Sequence, residues 1–194
     1  MIYYLFGKSA SGKDTIYKLL KELNPSWKEV TPYTTRPIRE GESEGVEYHF
    51  VNEAQIEEFG KAGKIIEKRT YNTVYGPWTY GTIDDGQIDL ESGNDYLMIG
   101  VLQSYISTRD YFGRENVMPI YIEVPDDIRL ERAKRRELLE DKPKLDEMMR
   151  RFNADNADFS EEKLKEADIN KRYVNIVLED CIDEIIKDTG KSNI

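Results

Sequence analysis

A short apolar run near the start of the chain is followed directly by a loop of small residues and then by an amphipathic segment. Residues 2–6 are apolar or aromatic and end at Gly7, which predicts a buried strand. Apolar side chains recur at helical spacing between residues 16 and 23, so we predict a helix that ends before Asn24-Pro25. A strand, a tight loop and a helix in this order open an α/β fold.

Three later apolar runs extend this pattern. They cover residues 96–102, 119–124 and 173–178, and helical patterns follow the second and the third run, which predicts a three-layer core with a mostly parallel sheet. Residues 31–88 differ, because they are rich in Gly, Tyr, Thr and Glu and alternate over short stretches. We predict a small, largely antiparallel insertion there. A length of 194 residues suits one domain of this kind.

The loop after the first strand has the spacing G-x-x-x-x-G-K, with Asp14 where Ser or Thr is usual. Small residues let backbone N–H groups curl around an anion, the helix N-terminus adds a favourable dipole, and Lys13 can reach nucleotide phosphates. The spacing therefore predicts a site for the phosphates of ATP. Its predicted residues are Gly7, Ser9, Ala10, Ser11, Gly12, Lys13, Asp14 and Thr15.

Two interpretations of Asp14 are open at this point. In one, Asp14 serves only the first helical turn, where the helix dipole favours acids. In the other, Asp14 binds Mg²⁺ directly or through water, because hard cations prefer carboxylate oxygens. Thr15 could supply a hydroxyl to the ion instead, so Asp14 and Thr15 are the candidate metal ligands.

The charge and the cysteine count exclude several classes of function. The net charge is −10, which argues against nucleic acid as a partner, because a phosphate backbone needs a basic surface. One cysteine and one histidine exclude an intramolecular disulfide and a Cys- or His-rich metal centre. No apolar run is long enough to span a membrane, and we expect a cytoplasmic protein.

A second group of residues surrounds Arg36 and Arg39, in the run Thr34-Thr35-Arg36-Pro37-Ile38-Arg39. Two arginines in an extended loop offer planar forks that suit a phosphate monoester. The longer pattern T-T-R-x-x-R-x-G-E-x-x-G-x-x-Y-x-F, together with the phosphate loop, closely resembles the guanylate kinases. The resemblance implies the reaction ATP + GMP ⇌ ADP + GDP, with Mg²⁺ as cofactor and GMP or dGMP as acceptor.

The resemblance also implies roles for individual residues. Arg36, Arg39 and Tyr48 would hold the GMP phosphate, and Glu67 would accept hydrogen bonds from the guanine edge. In Tyr80-Gly81-Thr82, Tyr80 would contact phosphate and Thr82 would contact the base. Tyr75-Gly76 is a rival placement of this motif, because the spacing from Glu67 to Tyr80 is longer than usual.

A basic stretch resembles the lid of the same family, in which arginines from two helices close over the transferred phosphoryl group. Arg132, Arg136 and Arg151 fall best on the lid positions and join Lys13 and Arg39 as predicted catalytic residues. A basic solvated helix face is the alternative. The predicted division is a core of residues 1–30, 89–128 and 159–190, a monophosphate-binding insertion of residues 31–88 and a lid of about residues 129–158.

The chain departs from the family pattern at four places. Besides Asp14, Pro32 stands where a base-contacting Ser is usual, and no carboxylate lies between Tyr96 and Gln103, where the family has acidic residues. The lid also has Glu137 after Arg136 in place of Gly. We hypothesise that Asp14 restores the carboxylate that the strand lacks.

Two other functions compete with a guanylate kinase. Gly-Lys-Asp in the phosphate loop also resembles the ribose 1,5-bisphosphate phosphokinases, which share this fold. A non-catalytic guanylate kinase-like binding module is the third interpretation, although such modules have degraded phosphate loops and Lys13 is present here. A homodimer is kept as a candidate assembly.

Overall fold

A computed structural model describes residues 1–73, 76–140 and 143–190 of the chain. The strands are β1 Ile2–Gly7, β2 Lys28–Glu29, β3 Tyr33–Thr34, β4 His49–Phe50, β5 Ile65–Thr73, β6 Gly76–Ile83, β7 Tyr96–Gly100, β8 Val117–Glu123 and β9 Tyr173–Val174. The α-helices are α1 Lys13–Leu23, α2 Glu53–Lys61, α3 Leu102–Phe112, α4 Asp126–Glu137, α5 Leu145–Asp158, α6 Glu161–Glu166 and α7 Leu178–Asp188.

The larger sheet has five strands in the order β2-β7-β1-β8-β9, and every neighbouring pair is parallel. All residues of β1 are buried, because this strand lies at the centre of the sheet and is covered on both faces. The continuous apolar run at residues 2–6 is typical of such a strand. The predicted α/β fold with a mostly parallel sheet is confirmed.

The two faces of this sheet pack against different helices. Successive side chains of a strand point to opposite faces, so Tyr4 and Phe6 lie in one core with Tyr105 of α3. Leu5 lies in the other core, with Leu20 of α1 and residues of α7. The loop between β1 and α1 is therefore anchored at both ends by buried structure.

The smaller sheet has four strands in the order β4-β3-β6-β5. The pairs β3–β6 and β5–β6 are antiparallel, but β3 and β4 are parallel. The predicted insertion is therefore a mixed sheet, and it also contains α2. The parallel pair arises because the chain crosses over between β3 and β4 through the loop of Arg36 and Arg39, whereas a tight hairpin would have made the pair antiparallel.

Two predicted strands end earlier than the sequence indicated. The strand that starts at Tyr96 ends at Gly100, because the Ser104 side chain accepts from the Val101 N–H at 3.0 Å and α3 begins at Leu102. The run 173–178 contains a strand only at its start, and α7 begins at Leu178. Within the described ranges, no helix is long and apolar enough to cross a membrane.

The packing of α1 against the sheet predicts a large effect of truncating Leu20. This side chain is 0% exposed, whereas Leu139, which follows α4, is 83% exposed. Leu20→Ala should lower the free energy of unfolding by about 2–5 kcal/mol, because the cavity cannot be filled. Leu139→Ala, the same chemical change in solvent, should stay within about 0.5 kcal/mol of the parent. Urea unfolding measures both, and equal midpoints for the two variants would contradict this packing.

Candidate active site

The loop between β1 and α1 has a backbone path that depends on two glycines. A Cβ atom at Gly7 would lie 2.6 Å from the backbone oxygen of Ile122 on β8. Gly12 has φ +85°, and a Cβ there would lie 2.5 Å from Nδ2 of Asn175, whose side chain donates to the Ser11 carbonyl at 2.8 Å. Ala10 also has a positive φ of 62°. The loop thus adopts the tight curl that its small residues predict.

The curl contains a buried hydroxyl without a hydrogen-bond partner among the described residues. Ser11 is buried, and its Oγ has no hydrogen-bond partner in the part of the chain that the structure describes. Buried polar groups in native proteins nearly always have a partner. An unpaired hydroxyl in this loop is consistent with a site that a polar ligand completes.

One cleft of about 400 Å³ joins the loop to the small sheet. Six of the predicted site residues line this cleft. They come from α1 and from the insertion and are Lys13, Asp14, Tyr48, Glu67, Tyr80 and Thr82. The structure therefore brings the cation of the phosphate loop and four of the predicted acceptor-binding side chains to one cavity. The sequence places these groups far apart, and the fold alone makes them neighbours.

Arg36 is held in place from several sides. Its guanidinium donates to both carboxylate oxygens of Glu42, at 2.8 and 3.0 Å, and lies 5.4 Å from the centre of the Tyr48 ring. The hydrogen bond to Glu42 raises the pKa of Arg36, and Tyr80 interacts with the same guanidinium. Arg36 thus contacts two tyrosines of the cleft.

Arg39 is exposed, and its guanidinium makes no hydrogen bond or ion pair with any described residue.

Glu67 is buried between two partners. Arg69 donates to its carboxylate from Nε at 2.9 Å and from Nη2 at 3.3 Å, and the Thr82 hydroxyl lies 3.4 Å from Oε1. Thr82 faces Glu67 because β5 and β6 are paired in register at these two residues. Sequence reasoning named Glu67 and Thr82 but missed Arg69, although its place two residues after Glu67 on a strand puts both side chains on one face.

A buried arginine that the sequence analysis did not single out supports the phosphate loop. Arg129 of α4 is fully buried and donates to Oδ1 of Asp126, at 3.0 and 3.1 Å, and to Oδ1 of Asn156 at 2.7 Å. Its Nη1 lies 3.3 Å from the Ser9 carbonyl, and Asp155 accepts from the Ser9 N–H at 2.7 Å. Burial alone would raise the pKa of Asp126, but the hydrogen bond from Arg129 and nearby cations lower it overall.

The predicted lid arginines lie on α4 and α5. Arg132 donates to the Ile176 carbonyl at 3.5 Å, and Arg151 lies 3.5 Å from a carboxylate oxygen of Glu137. Arg136 is exposed. None of the three lines the cleft around Lys13, so this conformation does not gather them at the phosphate loop. The rival residue Tyr75, two residues of the predicted lid (141 and 142) and residues 191–194 lie outside the described residues.

The end of the cleft near Glu67 has an unusual lining. Pro32, which stands where the family pattern has a serine, lines it together with Gly100 of β7, the strand that lacks the acidic residues of the family. A Cβ at Gly100 would lie 2.4 Å from the Tyr4 hydroxyl and 2.6 Å from Ser104 Oγ. Tyr4 therefore occupies the space that a side chain at position 100 would need. Burial raises the pKa of Tyr4 to about 12, so its hydroxyl stays protonated.

Asp14 lies on the exposed rim of the same cleft. Its carboxylate is 74% exposed and lies 3.4 Å from the Lys13 ammonium. It lines the same cavity as Gly100 of β7, and its replacement of a carboxylate missing from that strand stays a prediction. Across the described ranges, no group of three or more His, Cys, Asp or Glu side chains could hold a metal ion.

Comparison with known proteins decides the family of this chain. A family model described as guanylate kinase matches residues 2–191. The chain belongs to the guanylate kinase family. The resemblance carried by the phosphate loop and by the run from Thr34 to Phe50 is thereby confirmed.

Individual relatives agree with this assignment. A guanylate kinase from Frankia casuarinae is 40% identical over 79 residues, which cover 40% of this chain and 40% of the relative. One from Chromobacterium violaceum is 32% identical over 138 residues, covering 69% of this chain and 61% of the relative. The match thus spans about half the length of these curated guanylate kinases.

A solved structure supports the fold. The crystal structure of guanylate kinase from Anaplasma phagocytophilum matches with a TM-score of 0.66 and 20% identity, covering 100% of this chain and 86% of that one. At this identity the likeness concerns the fold alone.

Because Arg129 is a buried charge with several partners, we predict that this member of the guanylate kinase family depends on Arg129 for its stability. Arg129→Met should lower the free energy of unfolding by about 3 kcal/mol, because it removes the buried guanidinium that Asp126 and Asp155 share and leaves Asp126 with Lys8 alone. Arg135→Met, on the exposed side of the same helix, should change it by less than about 0.5 kcal/mol. Denaturant unfolding compares the two variants, and an unchanged midpoint for Arg129→Met would show that the cluster is dispensable.

Proposed function

We propose that this chain is an ATP-dependent guanylate kinase that transfers the γ-phosphoryl group of ATP to GMP or dGMP. The observation that carries the proposal is the single cleft that Lys13 shares with Tyr48, Glu67, Tyr80 and Thr82. Phosphoryl transfer needs donor and acceptor phosphates side by side with their charge neutralised. The cleft combines a phosphate loop, which can bind the phosphates of the donor, with a buried carboxylate, which can accept hydrogen bonds from the base of a nucleotide acceptor.

The donor side would be formed by the loop of residues 7–15. Backbone N–H groups of this curl, the Ser11 hydroxyl and the N-terminus of α1 would hold the ATP phosphates, and Lys13 would bridge the β- and γ-phosphates. Lys13 already lines the cleft, and its ammonium would exchange the exposed Asp14 carboxylate, 3.4 Å away, for phosphate oxygens.

The acceptor side would be formed by the insertion. Arg36, Arg39, Tyr48 and Tyr80 would hold the GMP phosphate, since two guanidinium groups and two phenol hydroxyls are all donors. Arg36 is preorganised by Glu42, whereas the exposed Arg39 is free to turn toward the ligand. Glu67 would accept from the N1–H and the amino group of guanine, and Thr82 would contact the base.

The chemistry requires no covalent intermediate on the protein. An oxygen of the GMP phosphate attacks the γ-phosphorus, the bond to the β-γ bridging oxygen breaks, and ADP leaves. The protein's task is to position both nucleotides and to stabilise charge. We propose that Arg132, Arg136 and Arg151 reach the reacting phosphates when a lid of about residues 129–158 closes over the core and excludes water.

Mg²⁺ fits this site as an ion carried by the nucleotide. The described residues offer one exposed carboxylate at the loop, Asp14, and the neighbouring hydroxyl of Thr15, and Mg²⁺ commonly binds through one or two carboxylates together with substrate phosphates. When bound, the ion would neutralise charge on the phosphoryl oxygens. Asp14 would orient it at the mouth of the loop.

One assay separates the proposal from its competitors. ADP formation from ATP and Mg²⁺ is measured with GMP, dGMP, AMP, UMP, CMP and ribose 1,5-bisphosphate in parallel. Selective turnover of GMP or dGMP is expected, and turnover of the sugar bisphosphate alone would overturn the proposal. The comparisons do not favour the sugar-phosphate kinase or the non-catalytic module. A homodimer and a cytoplasmic location remain predictions.

Lys13 and Arg39 should each be indispensable for fast turnover. Lys13→Ala and Arg39→Ala are expected to lower kcat/KM for GMP by more than about a hundredfold, as for other donors to a phosphoryl-transfer transition state. Lys18→Ala, which removes an exposed cation from the same helix as Lys13, is the matched control. Coupled ADP detection gives these values, and activity within tenfold of the parent would remove the residue from the catalytic set.

The role of Asp14 has its own test. If its carboxylate replaces the one missing from β7, Asp14→Ser should lower kcat and raise the Mg²⁺ concentration needed for half-maximal activity, although Ser is the usual residue of such loops. Titration of activity with Mg²⁺ measures both quantities. A Ser variant that is as active as the parent, with the same Mg²⁺ dependence, would show that Asp14 serves only the first turn of α1.

A further inference from the structure

Arg69 is placed to contact a ligand as well as Glu67. Its side-on pair with Glu67 uses Nε and one N–H of Nη2, and its remaining N–H groups have no partner among the described residues. Glu67 is 4% exposed, but Arg69 is 24% exposed and lines the cleft. The guanidinium therefore neutralises the buried carboxylate with one edge and leaves another edge for hydrogen bonding in the cavity.

Guanine requires donors as well as acceptors from its site. Its N1–H and amino group donate, whereas O6 and N7 accept. Glu67 can serve only the donors of the base, because a carboxylate has no hydrogen to give. Pro32 has no side-chain donor, and Gly100 has no side chain at all, so neither residue can serve O6.

We propose that Arg69 is a specificity-determining residue that donates to O6 of guanine, with N7 as its second acceptor. A guanidinium fork matches O6 and N7 bidentately, and this is the commonest specific contact to guanine in nucleic-acid recognition. Guanine has a donor at N1 and acceptors at O6 and N7. The Glu67 carboxylate would accept from the N1–H, and the neighbouring Arg69 guanidinium would donate to O6 and N7. This inference rests on the proposed GMP kinase function.

A purely structural ion pair is the competing explanation. In that case Arg69 would only hold Glu67, and its loss would affect whatever Glu67 recognises, namely the N1–H and the amino group. If Arg69 contacts the base, its loss affects recognition of O6. Acceptors that differ at one position of the purine separate the two roles.

The experiment measures kcat/KM with GMP, 6-thio-GMP and IMP for the parent, Arg69→Met and Lys68→Met. 6-thio-GMP replaces O6 by the weaker acceptor sulfur, and IMP lacks the amino group that Glu67 would read. Lys68→Met removes a cation from the adjacent, exposed position of β5 and is the matched control. For Arg69→Met we expect kcat/KM with GMP to fall about tenfold to a hundredfold, the range for loss of one bidentate contact.

The ratios of kcat/KM for GMP over 6-thio-GMP and for GMP over IMP distinguish a contact to the base from a purely structural role of Arg69. The parent should prefer GMP to 6-thio-GMP, Arg69→Met should lose most of that preference, and its preference for GMP over IMP should persist. Loss of the GMP-to-IMP preference with an unchanged GMP-to-6-thio-GMP ratio, or an equal loss of both, would overturn the proposal. Lys68→Met should match the parent in both ratios.

Two further outcomes have definite meanings. If Arg69→Met does not fold, the parent alone still tests the proposal, because a donor to O6 requires the parent to prefer GMP to the weaker acceptor 6-thio-GMP; equal kcat/KM values for the two acceptors would overturn the proposal. If the parent turns over no GMP while it uses another acceptor, the proposed function fails and this inference fails with it. If the parent uses GMP but the ratios do not respond, only the role of Arg69 fails.

Discussion

The curl of backbone between Gly7 and Gly12 is the constraint on which the rest of the site depends. It starts at the end of the buried strand β1 and ends at Gly12, the N-cap of α1, so the central sheet fixes its position. The Ile122 carbonyl and the Asn175 amide approach the two glycines so closely that neither position has room for a side chain. Strand β8 and the residue that follows β9, both distant in sequence, thus shape an anion-binding loop that is local in sequence.

The loop is also tied to the helices beyond β8. Arg129, fully buried, joins Asp126 of its own helix to Asn156 of α5, and Asp155 takes the N–H of Ser9. A buried charge is stable only when several partners satisfy it, so α4, α5 and the phosphate loop form one cooperative unit. The position of α5, which carries the predicted lid residue Arg151, is therefore coupled to the state of the loop.

Much of the fold followed from local sequence signals. The continuous apolar run of β1 and the helical spacing after it predicted the parallel core, and the loop motif predicted Lys13 at the cleft. The parallel pairing of β3 with β4 was not predicted, because two-residue strands carry no periodicity and their pairing depends on the crossover between them. The helix α3 was missed because its buried face includes Ser104 and Thr108, which are not apolar.

The site was predictable only where a motif was long. The run around Arg36 and Arg39 is specific, so the acceptor residues of the insertion could be named, whereas Arg69 and Arg129 appear in the sequence as ordinary charged residues among many. Their importance arises from burial and from partners such as Glu67 and Asp155, which only the folded chain brings near. The prediction of the lid arginines depended on a short basic pattern. Where these arginines lie in a closed state depends on a movement of the lid, which no local sequence pattern predicts.

The contact between Gly100 and Tyr4 has a consequence for how this site can evolve. A lineage that needed an acid at position 100 could not acquire it by one substitution, since the new Cβ would meet the Tyr4 hydroxyl at 2.4 Å. Tyr4 would have to become smaller first, which alone would open a cavity in the core, and Ser104, whose Oγ would lie 2.6 Å from the same Cβ, would have to shift as well. The effect of a substitution at position 100 thus depends on the residue at position 4, and the reverse also holds, so the two positions are epistatic. Such a dependence keeps the unusual lining of this cleft in place once it has arisen.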